Sequence, residues 1–242
     1  MSQMTAPLGK NEDVRVVNPD LFKTENISYG EIALNSNGGK EAKMYYGSGL
    51  FLFQTPRMNC PFGLTMTENP GNDGKPGSKS YRVAVSFRGF NDPKDKSFEK
   101  KRDFHDMISE IDDANIAKCR ENSLNWIKLK PSAANEDVVR ALYNPTIRQG
   151  QDTSYPPIMN LSFVNYDGKF ITEVYDSDGK LVDPTEVITK GCEVKCLVQA
   201  QKITFPQGKF GVKYVIHNMK VWPSKGGMRG RGCMIDDESD DE

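Results

Sequence analysis

The sequence has few of the features that mark membrane proteins or metal sites. Nowhere in its 242 residues is there an apolar run close to the roughly 20 residues needed to cross a bilayer. Residues 1–14 contain no apolar signal core. No two cysteines have the two-residue spacing of a zinc-binding pair, so we expect an intracellular protein with reduced, packed thiols and no metal. The cysteines are Cys60, Cys119, Cys192, Cys196 and Cys233.

Candidate catalytic residues are also sparse. The two histidines, His105 and His217, have no supporting spacing, and His105 lies near Asp103 and Asp106 in a predicted helix, which is typical of a surface residue. The chain contains no glycine-rich phosphate loop of the Walker type and no recognisable pair of catalytic carboxylates. A metal-dependent nuclease remains an alternative because carboxylates are plentiful. We expect a binding protein that is not an enzyme and needs no cofactor.

The net charge of −1 conceals an uneven distribution of charge. All 32 basic residues and 27 of the 33 acidic residues lie within residues 1–235, which therefore carry a net charge of +5. The other six acidic residues form a block with a charge of −6. On a flexible tether this block could mimic a phosphate backbone near a basic surface, and the alternative is that it only aids solubility. We expect these residues to contact partners: Asp236, Asp237, Glu238, Asp240, Asp241 and Glu242.

Alternating and continuous apolar segments predict a mainly β protein. Residues 81–88 alternate cleanly, which places Arg82 and Arg88 on the solvent face of a strand. In each of the last two strands, the apolar residues change from even-numbered to odd-numbered positions, between Ala200 and Ile203 and between Ile216 and Met219. Such a change predicts an extra residue, a β-bulge, in each strand, and bulges bend strands around a small barrel. The predicted later strands are 158–164, 169–175, 194–205 and 209–222.

Helical spacing of apolar residues predicts a long helix over 97–127 and a second helix over 136–143, inserted between strands. Residues 1–43 are mixed in composition and are expected to form an arm with one or two short strands. The expected domains are a flexible N-terminal arm at 1–43, an oligonucleotide-binding (OB-fold) barrel with a helical insertion at 44–223, and a Gly/Arg linker with a disordered acidic tail at 224–242.

Residues 155–222 resemble the single-stranded DNA-binding proteins of large nucleocytoplasmic DNA viruses and, more distantly, the replication single-strand binder of podophages. The similarity lies in a V-x-D-x-x-G-K hairpin at 174–180, a Lys-Gly turn at 190–191 and an aromatic-basic hairpin, together with residues 55–64 upstream. The resemblance implies an OB-fold barrel that coats single-stranded DNA in replication, recombination or repair at a viral replication site in nucleus or cytoplasm. It also implies an acidic tail that contacts DNA polymerase or other replication proteins.

Sequence-independent binding of a single strand requires cations for phosphates and aromatic faces for bases. The sequence interleaves both, and the predicted DNA-binding residues are Phe53, Arg57, Arg82, Arg88, Phe90, Lys195, Lys202, Lys209, Phe210, Lys213 and Tyr214. Phe210 and Tyr214 could equally point into the core, and Arg82 and Arg88 could be ordinary solvated charges. A homodimer is possible, and a viral structural or scaffold protein that uses the same barrel for protein contacts is the alternative function.

Overall fold

A computed structural model describes residues 16–35, 38–69, 78–166 and 169–224. The helices in these ranges are α1 (Phe98–Glu121), α2 (Ser123–Ile127), α3 (Glu136–Leu142) and α4 (Pro184–Val187). The strands are β1 (Val16–Val17), β2 (Ile27–Leu34), β3 (Lys40–Tyr46), β4 (Gly49–Leu50), β5 (Leu52–Gln54), β6 (Met58–Cys60), β7 (Leu64–Asn69), β8 (Ser78–Ser86), β9 (Ile147–Arg148), β10 (Ile158–Phe163), β11 (Asn165–Tyr166), β12 (Lys169–Phe170), β13 (Glu173–Tyr175), β14 (Cys192–Thr204) and β15 (Gly211–Trp222). The fold is therefore mainly β with one helical segment between strands, as the sequence predicts.

The two longest strands, β14 and β15, form an antiparallel hairpin that runs the length of the sheet. Two register shifts interrupt the pairing, one at Gln201 between Ala200 and Lys202 and one at His217 opposite Leu197 and Val198. Each shift inserts one residue into one strand, which bends the strand and increases its twist. Both predicted bulges are confirmed, and each lies where the apolar residues change from even-numbered to odd-numbered positions.

The strand pairings return to their starting point. Strand β14 pairs with β6, β6 meets β8 at Asn59 and Ser86, β8 pairs with β10, β10 pairs in parallel with β15, and β15 pairs with β14. Strands β3 and β5 add to β14, and β13 adds to β15. A closed circuit of strands presents one set of side chains inward and the alternate set outward.

The inward side chains form one apolar core that α1 covers. On β10, Met159, Leu161 and Phe163 are buried, whereas the alternate residues face outward. Buried residues recur at helical spacing on α1, and among them Phe104 stacks on Phe87 with ring centroids 5.6 Å apart. The aromatic side chains of helix and sheet therefore close the core at this end.

The predicted helices are confirmed, and one predicted strand is divided. Helices α1 and α2 occupy the span predicted as 97–127, with a break at Asn122, and α3 occupies the second span. The predicted strand 169–175 forms β12 and β13 separately. The N–H groups of Ile171 and Thr172 donate to the carbonyl oxygen of Val164 at 2.8 and 3.2 Å, which closes a tight hairpin and ends β12.

The predicted boundary between arm and body is wrong. Residue 43 lies inside β3, Ala42 is fully buried, and β3 pairs with β14 at the centre of the sheet. Strand β1 likewise pairs with β5. Residues 16–35 and 38–43 therefore belong to the body, since β1, β2 and β3 pair within the main sheet and Val17 and Ala42 are buried in it. Residues 1–15 and the predicted acidic tail lie outside the described residues.

In the described ranges, no helix combines the length and the apolar character needed to span a membrane. The same ranges hold no group of three or more His, Cys, Asp and Glu side chains that could bind a metal ion.

Candidate nucleic-acid interface

A groove of about 330 Å³ lies on the outward face of β8, β9, β10 and β15. Its cationic lining residues are Arg82, Arg148 and Lys213, one from each of three different strands. Hydroxyl and amide side chains complete the polar lining: Asn144, Thr146, Asn160, Ser162 and Thr204. The groove therefore combines positive charge with hydrogen-bonding groups that can both donate and accept. We refer to this site as the groove.

Strand alternation places these side chains on one face. Ser162 on β10 is paired with Arg82 on β8, and Ile158, two strand periods earlier, is paired with Arg148 on β9. Paired residues in a sheet project to the same side, so both guanidinium groups share the outward face of β10. Arg82 is exposed, as its position in the alternating strand predicts.

A row of three lysines extends from the groove across the hairpin. Lys213 on β15 is directly opposite Lys202 on β14, and Lys202 is directly opposite Lys43 on β3. Neighbouring strands lie about 4.8 Å apart, so the three side chains leave the sheet side by side on one face. We refer to Lys43, Lys202 and Lys213 as the lysine row.

One carboxylate moderates the charge of the lysine row. Glu41 Oε2 lies 2.6 Å from Lys202 Nζ, and both side chains are largely buried. Partial burial, with repulsion from Lys202, lowers the pKa of Lys213, and Glu41 opposes this change. Among the described residues, no carboxylate lies within ion-pair distance of Lys43, Arg82 or Lys213. The cations of this face therefore have unused capacity to bind an anion.

A buried carboxylate holds one wall of the groove. Asp112 on α1 accepts hydrogen bonds from Tyr143 Oη at 2.7 Å, from Thr146 Oγ1 at 2.6 Å and from the Thr146 N–H at 2.8 Å. Burial raises the pKa of Asp112, and these hydrogen bonds oppose that rise. Arg148 Nε donates in turn to the carbonyl oxygen of Pro145 at 3.2 Å. The helix thereby fixes the segment that carries Arg148.

Two predicted cations lie at the opposite end of the hairpin. Arg57 forms an ion pair with Glu193 at 2.5 Å and lies over the ring of Trp222, 4.2 Å from its centroid. Lys195 is opposite Lys220 on β15. Lys202 is seven positions after Lys195, which corresponds to about 23 Å along a strand. The structure does not bring Arg57 and Lys195 together with the groove.

The predicted aromatic stacking residues are mostly buried. Phe53 and Phe210 are fully inaccessible, because Phe104 and Tyr214 pack on Phe53 and Tyr143 packs on Phe210. The prediction that these two rings stack on bases is therefore wrong. Tyr214 is also buried, although it lines the groove, where its hydroxyl oxygen lies 3.4 Å from Thr146 Oγ1.

The remaining predicted residues lie outside the groove lining. Phe90 is half-buried and stacks on His105, with centroids 4.4 Å apart. Arg88 is exposed just after β8, and Lys209 is exposed at the turn between β14 and β15. Their contact with DNA stays a prediction.

Sequence analysis missed Arg148, Lys43, Asn160 and Ser162. The alternation within β10 could have identified Asn160 and Ser162 as outward residues, because Met159 and Leu161 are apolar. No local pattern identifies Lys43 or Arg148, since each reaches this face only through pairing with a strand distant in sequence or through the Asp112 network.

Comparison with known proteins gives distant similarities. No protein-family profile matches the chain. An uncharacterized protein of Acanthamoeba polyphaga mimivirus is 22% identical over 209 residues, covering 84% of this chain and 56% of the relative, so the chain spans just over half of that protein's length. Among solved structures, gp2.5, a single-stranded DNA-binding protein encoded by bacteriophage T7, is similar with a TM-score of 0.43 at 14% identity, covering 77% of this chain and 97% of gp2.5. The single-stranded DNA-binding protein from bacteriophage Enc34 is similar with a TM-score of 0.36 at 13% identity, covering 86% of this chain and 96% of that protein.

Proposed function

We propose that this chain binds single-stranded DNA, without sequence preference, along the groove and the lysine row. The observation that carries the proposal is the set of cations without carboxylate partners on one outward face, Arg82, Lys213 and Lys43, with Arg148 beside them. Phosphates are the anions that such a row of cations on adjacent strands can bind one after another. Binding then releases counterions and depends strongly on salt.

The uncharged side chains of the groove favour a single strand over a duplex. The base edges that form Watson–Crick pairs in a duplex are free in a single strand. Hydrogen bonds to these free edges can be donated and accepted by Asn144, Asn160, Ser162 and Thr204. Amide and hydroxyl groups accept several donor–acceptor patterns, which agrees with binding that tolerates any base.

The closed circuit of β14, β6, β8, β10 and β15 supports an OB-fold barrel as the scaffold of this site. Five strands closed on themselves, with a ligand crossing the outward face, are the architecture that this fold uses for oligonucleotides. The helices α1 to α3 are inserted between two strands of the circuit, β8 and β10.

A role in replication, recombination or repair would follow from coating single strands. The acidic residues 236–242 would then compete with DNA for the groove and contact replication proteins such as a polymerase once DNA has displaced them. The support for this part is the sequence alone: six carboxylates that follow a mildly basic body.

Fluorescence anisotropy with labelled oligo-dT and a matched duplex tests the proposal. We expect salt-sensitive binding with a preference for the single strand, and tighter binding when the chain ends at Cys233. A full-length variant with the six tail carboxylates changed to amides separates charge from length and should behave like the truncated chain. If neither form binds oligo-dT, the DNA-binding proposal fails, and a structural or scaffold protein becomes the favoured function.

A further inference from the structure

The geometry points to Tyr155 as a base-stacking platform beside Arg148, an inference that rests on the proposed function and adds an aromatic subsite to it. With Phe53 and Phe210 in the core and Tyr214 buried, the face needs another ring if it is to hold bases as well as phosphates. Among the described residues, the aromatic rings that are more than half exposed are Phe62, Tyr155 and Tyr166. Of these, Tyr155 and Tyr166 each lie three residues from β10, one at each end, and Tyr155 lies at the end where β10 pairs with Arg148.

Tyr155 lies in the loop that joins β9 to β10. The last residue pair of that hairpin is Arg148 with Ile158, so the loop begins immediately after a groove cation, and β10 begins three residues after Tyr155. The Tyr155 side chain is 68% exposed. A nucleotide bound at this end of β10 would stack its base on Tyr155 and bring its phosphate to Arg148.

Hydrogen bonds anchor the backbone of this loop at Tyr155 and again at Pro157. Gln149 Nε2 donates to the carbonyl oxygen of Tyr155 at 2.7 Å, and the N–H of Phe87 donates to the carbonyl oxygen of Pro157 at 2.9 Å. Pro156 and Pro157 restrict the chain between these two anchors. An exposed ring on a restrained backbone loses little conformational entropy when a base stacks on it, which favours binding.

The acidic residue of the loop is directed toward the loop itself. Asp152 Oδ1 accepts from the Ser154 N–H at 2.9 Å, and hydrogen bonding to the Ser154 side chain and N–H keeps the pKa of Asp152 below its usual range. The carboxylate stabilises the turn that precedes Tyr155.

Substitution of the ring tests the inference with two oligomers, oligo-dT and an abasic oligomer of equal length. Tyr155→Ala should weaken binding to oligo-dT by between about 5-fold and about 150-fold, the range for loss of one aromatic–base stack. Its affinity for the abasic oligomer and the salt dependence of both should match those of the unmodified protein, because no phosphate contact is lost. Tyr155→Phe should retain oligo-dT binding.

Phe62→Ala provides the matched control. Phe62 is 58% exposed in the turn between β6 and β7, which lie on the edge of β8 opposite β10, so its removal should leave oligo-dT affinity unchanged. The subsite is disproved if Tyr155→Ala binds oligo-dT as the unmodified protein does, or if it loses the same factor on the abasic oligomer. Absence of salt-dependent binding by the unmodified protein would instead disprove the proposed function itself.

Discussion

The two ends of the β14–β15 hairpin carry similar numbers of cations but use them differently. At the end near Trp222, Arg57 is neutralised by Glu193 and lies on an indole ring, and Lys220 also lies over that ring at 5.6 Å. At the groove end, Lys213 and Arg82 have no ion-pair partner among the described residues, and Lys202 alone is paired. Arg57 and Lys220 at the Trp222 end therefore already have partners, whereas Lys195 at that end and Lys213 and Arg82 at the groove end have no ion-pair partner among the described residues.

This difference shows that cation density along a strand does not locate a binding surface. Lys195 and Lys202 lie on the same strand and look equivalent in sequence. What distinguishes the two lysines is their neighbours. Lys202 pairs with Glu41 but lies opposite Lys43 and Lys213, which have no carboxylate partner among the described residues, whereas Lys195 lies opposite Lys220, which is over the Trp222 ring. The predictions below break or sharpen that contrast.

The largest expected effect comes from removing cations at the groove end. Arg82→Gln combined with Lys213→Gln should weaken binding to oligo-dT about 25-fold, if each phosphate contact contributes roughly 1 kcal/mol. The dependence of log affinity on log salt should fall by about 1.4, since each lost contact to a single strand reduces it by about 0.7.

The matched double variant is Arg57→Gln combined with Lys195→Gln, titrated under the same conditions. Equal losses for the two double variants would show that binding follows overall charge and that the contrast between the ends has no functional meaning.

A smaller effect of opposite sign is expected at Glu41. Glu41→Gln frees Lys202 from its ion pair and should strengthen oligo-dT binding by about 5-fold, with a salt dependence steeper by about 0.7. Glu193→Gln makes the same change at the other end and should leave affinity unaltered. Weaker binding by Glu41→Gln would mean that Glu41 positions Lys202 for DNA and does not compete with it.

The lowered pKa of Lys213 predicts a pH dependence. An ammonium group is charged below its pKa, so oligo-dT affinity should fall as the pH rises toward that lowered value, at a lower pH than an ordinary lysine near 10.5 would require. The effect is limited to one contact, about 5-fold at most. Lys213→Arg should abolish this part of the pH profile because arginine stays protonated. Superimposable profiles for the two proteins, measured by anisotropy, would contradict the prediction.

The smallest effect is expected for Arg57→Gln alone. Both partners of the Arg57–Glu193 ion pair are more than 40% exposed, so the pair and the contact with Trp222 together should contribute about 1 kcal/mol to the free energy of unfolding or less. Chemical denaturation measures this loss. Oligo-dT affinity should stay within about 2-fold of the unmodified protein's value.

Local periodicity determined much of the fold. The alternation in 81–88 places Arg82 outward, and the helical spacing of apolar residues predicts α1 and α3. The changes of apolar residues from even-numbered to odd-numbered positions locate the bulges at Gln201 and His217. These features follow from the geometry of single strands and helices, which neighbouring residues in sequence define.

Only the tertiary structure decided which aromatic rings are exposed and which cations act together. Phe53 and Phe210 are buried because Phe104 and Tyr143, on elements distant in sequence, cover them. The lysine row depends on the register of β3 with β14, which joins residues about 160 positions apart. Sequence alone determined that this protein has outward cations on a curved sheet. Long-range strand pairing and burial determined which of these cations lie side by side, because the strand register and the burial of each ring depend on packing of the whole core.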